Sequence, residues 1–255
     1  MILAIDMGNT HIELGMIEDG KILFSERMAT DLNKTSSEYA VLIQSLLNIQ
    51  EVNLDEVEGA ILSSVVPPLT YEIKEAVKKV IKKTPIIVES GIKTGLNIKV
   101  DNPQTVGADI LVGCVAAKQL YGYPALVIDM GTATTIFAID KEGDFIGGVV
   151  LAGVGISLNA LSNEASKLPK ISISVPKQVI CTNTEECMQS GIVYGQASLL
   201  DGMINKMEKE IGAKCKVVAT GGLARLIVPH CEREIILDNE LNIKGLEMIY
   251  EKNKR

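Results

Sequence analysis

Residues 1–20 read MILAIDMGNTHIELGMIEDG, and residues 124–143 read PALVIDMGTATTIFAIDKEG. A shift of 123 positions, without a gap, aligns six identical residues over the 21 positions from 3 to 23. The identical pairs are Leu3 with Leu126, Ile5 to Gly8 with Ile128 to Gly131, and Gly20 with Gly143. Similarity at a fixed distance indicates a repeated supersecondary unit. We therefore expect two lobes of related fold.

Each copy predicts an apolar strand, a tight Asp-x-Gly turn, a second strand and a hairpin. The hairpins carry Asp19-Gly20 and Glu142-Gly143, and glycine adopts positive φ at such turns without steric cost. Segments 21–24 and 144–150 are then the third strands.

Helical and strand patterns alternate along the rest of the chain. Apolar residues at helical spacing over 39–47 and 73–81 predict two amphipathic helices, the first capped by Ser36 or Ser37. Further helices are expected over 107–121, 187–211 and 223–228, and further strands over 59–66, 85–88 and 217–219. Strands that alternate with helices make the fold α/β.

The composition excludes several classes of protein. The chain has 255 residues, of which 47% are hydrophobic and 22% charged, and this argues against disorder. Its 25 basic and 32 acidic residues give a net charge of −7, so no nucleic-acid partner is expected. A polyanionic substrate would need a local cationic patch or a metal.

The cysteines and the N-terminus predict a cytoplasmic protein. The five cysteines form no C-x-x-C pair, and with His11 and His230 they make no recognisable zinc site. We interpret them as core residues in a reducing compartment. Neither a signal peptide nor a membrane-length apolar run is apparent. The cysteines are Cys114, Cys181, Cys187, Cys215 and Cys231.

The two Asp-x-Gly turns are candidate phosphate-binding sites. In Asp6–Thr10, an acidic residue ends a strand and a glycine, an amide and a hydroxyl follow. Backbone N–H groups and the hydroxyl of such a turn bind phosphate oxygens, and the carboxylate binds Mg²⁺ or its waters. Alone the pattern is also common in structural turns. Its second copy, Asp129–Thr135, favours two turns that bind one polyphosphate.

Two further segments admit either a functional or a structural interpretation. Thr220-Gly221-Gly222 follows a strand and precedes a helix, so it is a nucleotide-binding turn or a simple connection. Asp109 is at or near a helix start, where it is an N-cap or a general base that accepts a proton from an attacking hydroxyl.

These segments together resemble the acetate and sugar kinase, Hsp70 and actin superfamily and, within it, the type III pantothenate kinase family. The resemblance covers nearly the whole chain. It includes Asp6–Thr10, Ser63–Pro67, Thr94–Leu96, Asn102-Pro103, Val106–Asp109, Asp129–Thr134, Gly147-Gly148, Leu168-Pro169, Asn183-Thr184, Ser190-Gly191, Ala219–Ala224 and Gly245-Leu246.

The resemblance implies a duplicated ribonuclease-H-like fold, with lobes at 1–116 and 117–255 and a cleft between them that holds ATP. It implies a homodimer that phosphorylates pantothenate, the first step toward coenzyme A, with Mg²⁺ and a monovalent cation (K⁺ or NH₄⁺). Asp109 would be the catalytic base, Asp129 would bind the monovalent cation and Asp6 the Mg²⁺. ATP would contact Asp6, Met7, Gly8, Asn9, Thr10, His11, Ile12, Glu13 and Thr132, with Gly221 and Gly222 added by the turn argument above. Pantothenate would contact Val100, Gly107, Ala108, Asp109, Ile110 and Thr184.

The chain departs from the family at three positions near the acceptor side. Ile110 replaces the usual Arg, Val100 the usual aromatic residue and Ala152 the usual Pro. An aliphatic side chain at 110 supplies no charge-assisted contact. Two alternatives therefore stay open: a kinase of another small alcohol, and a nucleotide-binding regulatory protein with impaired catalysis.

Overall fold

A five-stranded mixed sheet forms the centre of each of two units. The computed structural model describes residues 1–254. Unit 1 comprises residues 1–96, residues 101–116 and the chain from Glu240 onward, and unit 2 comprises residues 97–100 and 117–239.

The regular elements follow the pattern expected from the sequence. The strands are β1 (Ile2–Met7), β2 (His11–Glu18), β3 (Lys21–Ala29), β4 (Gly59–Ser64), β5 (Ile86–Ile87), β6 (Ala125–Met130), β7 (Ala133–Ile139), β8 (Phe145–Ala152), β9 (Lys216–Thr220) and β10 (Ile236–Leu237). The α-helices are α1 (Ser36–Ile49), α2 (Pro67–Ile81), α3 (Ala108–Tyr121), α4 (Val154–Glu164), α5 (Thr184–Ile211), α6 (Ala224–Ile227) and α7 (Leu241–Asn253).

The two sheets share one topology, which confirms the predicted duplication. Their orders are β3-β2-β1-β4-β5 and β8-β7-β6-β9-β10. In each, the first three strands are antiparallel and the last three are parallel. The two hairpin glycines, Gly20 and Gly143, have φ of 78° and 81°, as expected for their turns.

The gapless alignment of the two copies is wrong within the second strand. Leu3 pairs with Met16, whereas its counterpart Leu126 pairs with Ala138, so β2 and β7 correspond at a shift of 122. Residues 8–10, here called the first tip, connect β1 to β2, and residues 131–132, the second tip, connect β6 to β7. The second tip is one residue shorter than the first. The turn between β7 and β8 is longer than the turn between β2 and β3, and β3 and β8 therefore correspond again at a shift of 123.

Each sheet buries an apolar core against helices. In unit 1 the core includes Leu3, Ile5 and Leu62 of the sheet with Ile43 of α1 and Ile73 of α2. In unit 2 the corresponding core packs β6, β7 and β9 against α4, α5 and α6. The alternation of apolar residues with period two or 3.6 is the physical reason that these elements could be predicted.

Local details correct several expectations. Thr35, rather than Ser36 or Ser37, caps α1, in a capping box with Glu38. Helix α5 begins at Thr184, three residues before the expected start, with Asn183 as its cap. Of the five free cysteines, only Cys114 and Cys215 are buried, whereas Cys187 is exposed. The core interpretation is therefore wrong for Cys187.

Helix α7 lies in unit 1, although the sequence grouped residues 117–255 as one lobe. It packs mainly on β1, β4 and β2. Ile243 lies against Gly15 and Tyr250 against Gly59. Because these contacts join residues more than 190 positions apart, no local pattern reports them. Within residues 1–254 no helix is long and apolar enough to span a membrane.

Candidate active site

The first tip is closed by hydrogen bonds of its own backbone and of Thr30. Gly8 N donates to His11 O (3.0 Å), and Thr30 N donates to Thr10 O (3.0 Å). Thr30 Oγ1 donates to Gly8 O (2.7 Å). The Gly8 N–H therefore already donates to the first residue of β2. Nothing in the sequence singles out Thr30 as the residue that braces this turn.

Asp6 is the acidic residue at the end of β1, and its two carboxylate oxygens differ in their hydrogen bonds. Oδ2 accepts a hydrogen bond from Asn242 Nδ2 (2.9 Å). Oδ1 is buried without a hydrogen-bond partner among residues 1–254, and so is Oγ of Ser63, its register neighbour on β4. Burial raises the pKa of Asp6 to about 6, and the negative charges of Asp109 and Glu13 add to the rise. The Asn242 hydrogen bond and the nearby Ser63 hydroxyl oppose it.

Asp109 is the second residue of α3, so it is not the N-cap of that helix. Its Oδ1 accepts a hydrogen bond from Ile110 N (2.8 Å). Burial raises its pKa, and the backbone hydrogen bond from Ile110 partly opposes the rise. A desolvated carboxylate with a raised pKa is a better proton acceptor than an exposed one. The N-cap alternative is therefore wrong, and the general-base alternative fits.

Ile110 stands beside this carboxylate without supplying charge. A Cβ added at Gly107 would lie 2.6 Å from Asp109 Oδ1 and 3.4 Å from Ile110 Cδ1, so the two side chains border the same glycine. An arginine there would lower the pKa of Asp109. The isoleucine instead adds to the apolar surroundings.

Glu13 on β2 carries the third carboxylate near Asp6, but its charge is paired. It accepts hydrogen bonds from Ser25 Oγ (2.7 Å) and Arg27 Nε (2.9 Å), and its Oε2 lies 2.7 Å from Arg27 Nη2. His11 at the tip is exposed and Ile12 is buried in the core. Unit 1 thus brings together Asp6, Asp109 and Glu13.

At the second tip a glycine turn lies close to the acidic residue. Asp129 at the end of β6 is in register with Thr220 of β9. The next residue, Gly221, has φ of 96°, and a Cβ there would lie 2.6 Å from both Asp129 Oδ1 and the Met130 backbone. Only glycine combines this conformation with so close an approach. The turn at 220–222 therefore lies directly against the Asp129 side chain and the Met130 backbone.

Helix α6 contributes less than expected, because it has only four residues. Residues 228–230 continue it as a 3-10 turn. Gly222 is exposed at its start, where the dipole of a single turn is weak.

The predicted acceptor residues lie in both units. Gly107 to Ile110 start α3 in unit 1. Val100 lies against Gly147 of β8, and Thr184 is the exposed first residue of α5, both in unit 2. Lys118 donates to the carbonyl of Gly143 (2.6 Å) and so holds the second hairpin.

The donor set of unit 1 fits a Mg²⁺ ion that is also bound by phosphates. No group of three or more His, Cys, Asp or Glu residues that could hold a metal is present in the described chain, residues 1–254. Mg²⁺ in nucleotide sites needs only one or two carboxylates, because phosphate and water oxygens complete its shell. The unpartnered Oδ1 of Asp6 meets that requirement.

Comparisons with known proteins identify the family of the chain. A family model described as type III pantothenate kinase matches residues 2–206. A type III pantothenate kinase from Halalkalibacterium halodurans is 47% identical over 253 residues, which are 99% of this chain and 100% of that protein.

Solved structures of more distant proteins share the fold. A Campylobacter jejuni protein described as a conserved Baf family transcriptional activator has a TM-score of 0.60 at 19% identity and covers 98% of each chain. (R)-2-hydroxyglutaryl-CoA dehydratase component A from Acidaminococcus fermentans has a TM-score of 0.58 at 16% identity, over 98% of this chain and 96% of that one. At such identities the likeness shows the fold alone, a duplicated ribonuclease-H-like fold.

The family model spans well over half of the chain, and the Halalkalibacterium relative matches it from end to end. The segments on which the resemblance rests lie where the chain leaves β1 and β6, for the two Asp-x-Gly turns, and at the start of α3, for Val106–Asp109. The chain belongs to the type III pantothenate kinase family.

Proposed function

We propose that this protein transfers the γ-phosphoryl group of ATP to the primary hydroxyl of pantothenate, in coenzyme A biosynthesis. One observation carries the proposal beyond family membership. The desolvated Asp109 carboxylate lies close enough to Asp6, at the end of β1, for its charge to raise the pKa of Asp6. A proton acceptor thus stands beside a candidate phosphate and Mg²⁺ ligand.

Asp109 is the proposed general base. Its carboxylate accepts the hydroxyl proton as the alcohol oxygen attacks phosphorus and the bond to the ADP oxygen breaks. Phosphoryl transfer depends mainly on the positions of the reacting groups and on neutralisation of the phosphate charge. The protein therefore needs to supply only a proton acceptor of raised pKa, held in place by the first turn of α3.

The nucleotide side of the proposal uses both repeated turns. Asp6 to Glu13 and Thr132 are the proposed ATP contacts, with Gly221 and Gly222. The hydrogen bonds that Thr30 makes to Gly8 and Thr10 support this, because they fix the backbone of the first tip.

Two cations are part of the proposal. Asp6 would hold the Mg²⁺ that accompanies ATP, and Asp129 the K⁺ or NH₄⁺. These ions supply the positive charge at the phosphates that a protein of net charge −7 lacks. The close approach of Gly221 to the Asp129 carboxylate supports a site for a weakly hydrated cation.

The acceptor side of the site is the part in which this chain departs most from the family pattern. Val100, Gly107 to Ile110 and Thr184 are the proposed pantothenate contacts. Ile110 leaves no guanidinium beside Asp109, so the substrate carboxylate must be bound by another group. This observation favours one second candidate, a kinase of a more apolar small alcohol.

Assembly and location complete the proposal as a homodimeric cytoplasmic enzyme. Exposed apolar side chains in unit 2 support a second copy as partner, and Ile180 and Val150 are 84% and 69% exposed. The five free thiols suit a reducing compartment.

The central experiment compares Asp109→Asn with the wild type. ADP release with ATP, Mg²⁺, K⁺ and pantothenate should fall by at least about 10³-fold in the variant, because general-base catalysis contributes up to about 10⁴-fold. ATP binding, measured by calorimetry, should be retained. Asp55→Asn, in an exposed 3-10 turn of unit 1, is the matched control and should keep full activity.

Replacing K⁺ by Na⁺ should lower the wild-type rate if Asp129 binds the cation. A folded wild-type protein that consumes no ATP at millimolar pantothenate contradicts the proposal. Turnover with another hydroxylated acceptor alone would favour the second candidate.

A further inference from the structure

Helix α7 contacts Asp6 and the helix that carries Asp109, although it lies outside the matched residues 2–206. Near its start, Asn242 Nδ2 donates to Asp6 Oδ2 (2.9 Å). One turn further, Gly245 packs directly on the backbone carbonyl of Val112. Val112 is three residues after Asp109 on α3. Helix α7 therefore contacts the side chain of Asp6 and the helix α3 that carries Asp109.

The position of α7 leaves little freedom for Asn242. Ile243, the next residue, fills the space above Gly15 on β2, and Tyr250 fills the space above Gly59 on β4. Leu241, Ile243, Leu246 and Ile249 are at most 1% exposed. The helix is fixed by apolar packing along its whole length, so the amide of Asn242 is presented to Asp6 from a rigid element.

The chemistry of an amide suits a carboxylate that must stay charged. A Lys or Arg at this position would neutralise Asp6 and compete with a bound cation. An amide donates one hydrogen bond and leaves the negative charge in place. Asn242 is also the second residue of α7, where the partial positive charge of the helix N-terminus favours an adjacent carboxylate.

The two oxygens of Asp6 are thereby distinguished. Oδ2 is held by Asn242, whereas within residues 1–254 no hydrogen bond reaches the buried Oδ1 or the Ser63 hydroxyl near it. A buried carboxylate oxygen without a hydrogen bond is costly unless a ligand satisfies it. The Asn242 hydrogen bond opposes any rotation that would turn the plane of the Asp6 carboxylate out of this orientation.

We propose that Asn242 is a positioning residue that holds the Asp6 carboxylate in the orientation that presents Oδ1 to the Mg²⁺ of bound MgATP. The proposal rests on the proposed function, in which Asp6 binds that ion. Asn242 itself contacts neither the substrate nor the reacting atoms.

The test compares Asn242→Leu with Asn253→Leu. Leucine has the same branched arrangement of side-chain heavy atoms as asparagine, with bulkier methyl groups at its ends, but donates no hydrogen bond. Asn253 is in the same helix, and its amide donates to Lys93 O (2.9 Å) and Ile249 O (2.7 Å), not to a carboxylate. Both variants lose an amide from α7, but only Asn242→Leu loses it at Asp6.

The readout is the Mg²⁺ concentration at which a fixed amount of ATP gives half of its maximal thermal stabilisation. For Asn242→Leu we expect this concentration to rise roughly tenfold, since hydrogen bonds to charged groups are worth more than neutral ones, while KM for pantothenate stays unchanged. Asn253→Leu should show the wild-type Mg²⁺ dependence. Asn242→Ser, which restores a donor, should recover part of the difference.

Equal Mg²⁺ dependence in Asn242→Leu and the wild type would overturn the proposal, even if both leucine variants melt at lower temperature. The crystal structure of ligand-free Asn242→Leu gives an independent answer: an Asp6 side chain that keeps its orientation also overturns it. If the wild type binds no MgATP, the proposed function fails, and that crystal structure still decides whether Asn242 positions Asp6. Wild-type MgATP binding without pantothenate turnover would defeat the proposed function alone.

Discussion

The first and second tips descend from one repeated pattern, yet they surround their acidic residues in different ways. Asp6 is bordered by side chains: the amide of Asn242, the hydroxyl of Ser63 and the charge of Asp109. Asp129 lies against Gly221, a position with no room for a side chain, and is in register with Thr220 on β9.

The two acids therefore differ in their surroundings, although the same Asp-x-Gly pattern predicts both. Side chains can donate, accept and shift a pKa, so the environment of Asp6 suits proton and Mg²⁺ chemistry. At Asp129 a glycine with φ of 96° instead brings the main chain close to the carboxylate. A duplicated fold can thus conserve the position of an acid while changing the groups that define its chemistry.

The largest expected effect is at the glycine turn beside the second tip. Gly221→Ala forces alanine to adopt φ near 96° and places its Cβ 2.6 Å from Met130 backbone atoms. We expect the free energy of unfolding to fall by about 2–4 kcal/mol, measured by urea denaturation. The matched change in the first tip is Gly8→Ala, where the nearest atom is His11 O at 3.4 Å and φ lies outside the left-handed region. That variant should lose less than about 1 kcal/mol. Equal losses would contradict the contrast between the tips.

The second effect is a pH dependence specific to Asp6. Because burial raises its pKa from 3.8 to about 6, the folded protein binds more protons than the unfolded chain between these values. The stability contributed by protonated Asp6 is complete below about pH 4 and lost as pH rises through about 6. Asp6→Asn lacks this loss, so its stability relative to the wild type should increase from pH 4 to pH 7 by on the order of 2 kcal/mol. Denaturant unfolding across this range checks it, and a pH-independent difference would show that Asp6 is not desolvated.

The smallest effect is at Thr30, which braces the first tip. Thr30→Val keeps the shape of the side chain but removes the hydrogen bond to Gly8 O (2.7 Å). The free energy of unfolding should fall by about 1 kcal/mol, and KM for ATP should rise severalfold because the tip is less ordered. Unchanged ATP kinetics in a destabilised variant would mean that the bracing serves the fold and not the nucleotide.

Much of the fold could be predicted because its signals are local. The stripes over 39–47 and 73–81 became α1 and α2. The acids that end β1 and β6 could be found because a polar residue at the end of an apolar strand is conspicuous. The one-residue offset between β2 and β7 could not, since strand register depends on the partner strand and on turn length.

The candidate site was predictable only in part. The segment from Val106 to Asp109 has a recognisable pattern, whereas Asn242 follows no motif. Its contact with Asp6 joins residues 236 positions apart, and an asparagine in the first turn of a helix is unremarkable by itself.

The amino-acid sequence alone determined the two repeated strand-turn-strand units, the α/β class and the acids at their turns, because periodicity and residue type act over a few neighbours. Tertiary structure alone decided that α7 returns to unit 1, that an amide holds one acid while a glycine turn lies against the other, and that Asp109 is desolvated. These properties arise from packing between distant segments, and burial, register and electrostatic environment exist only once those segments meet.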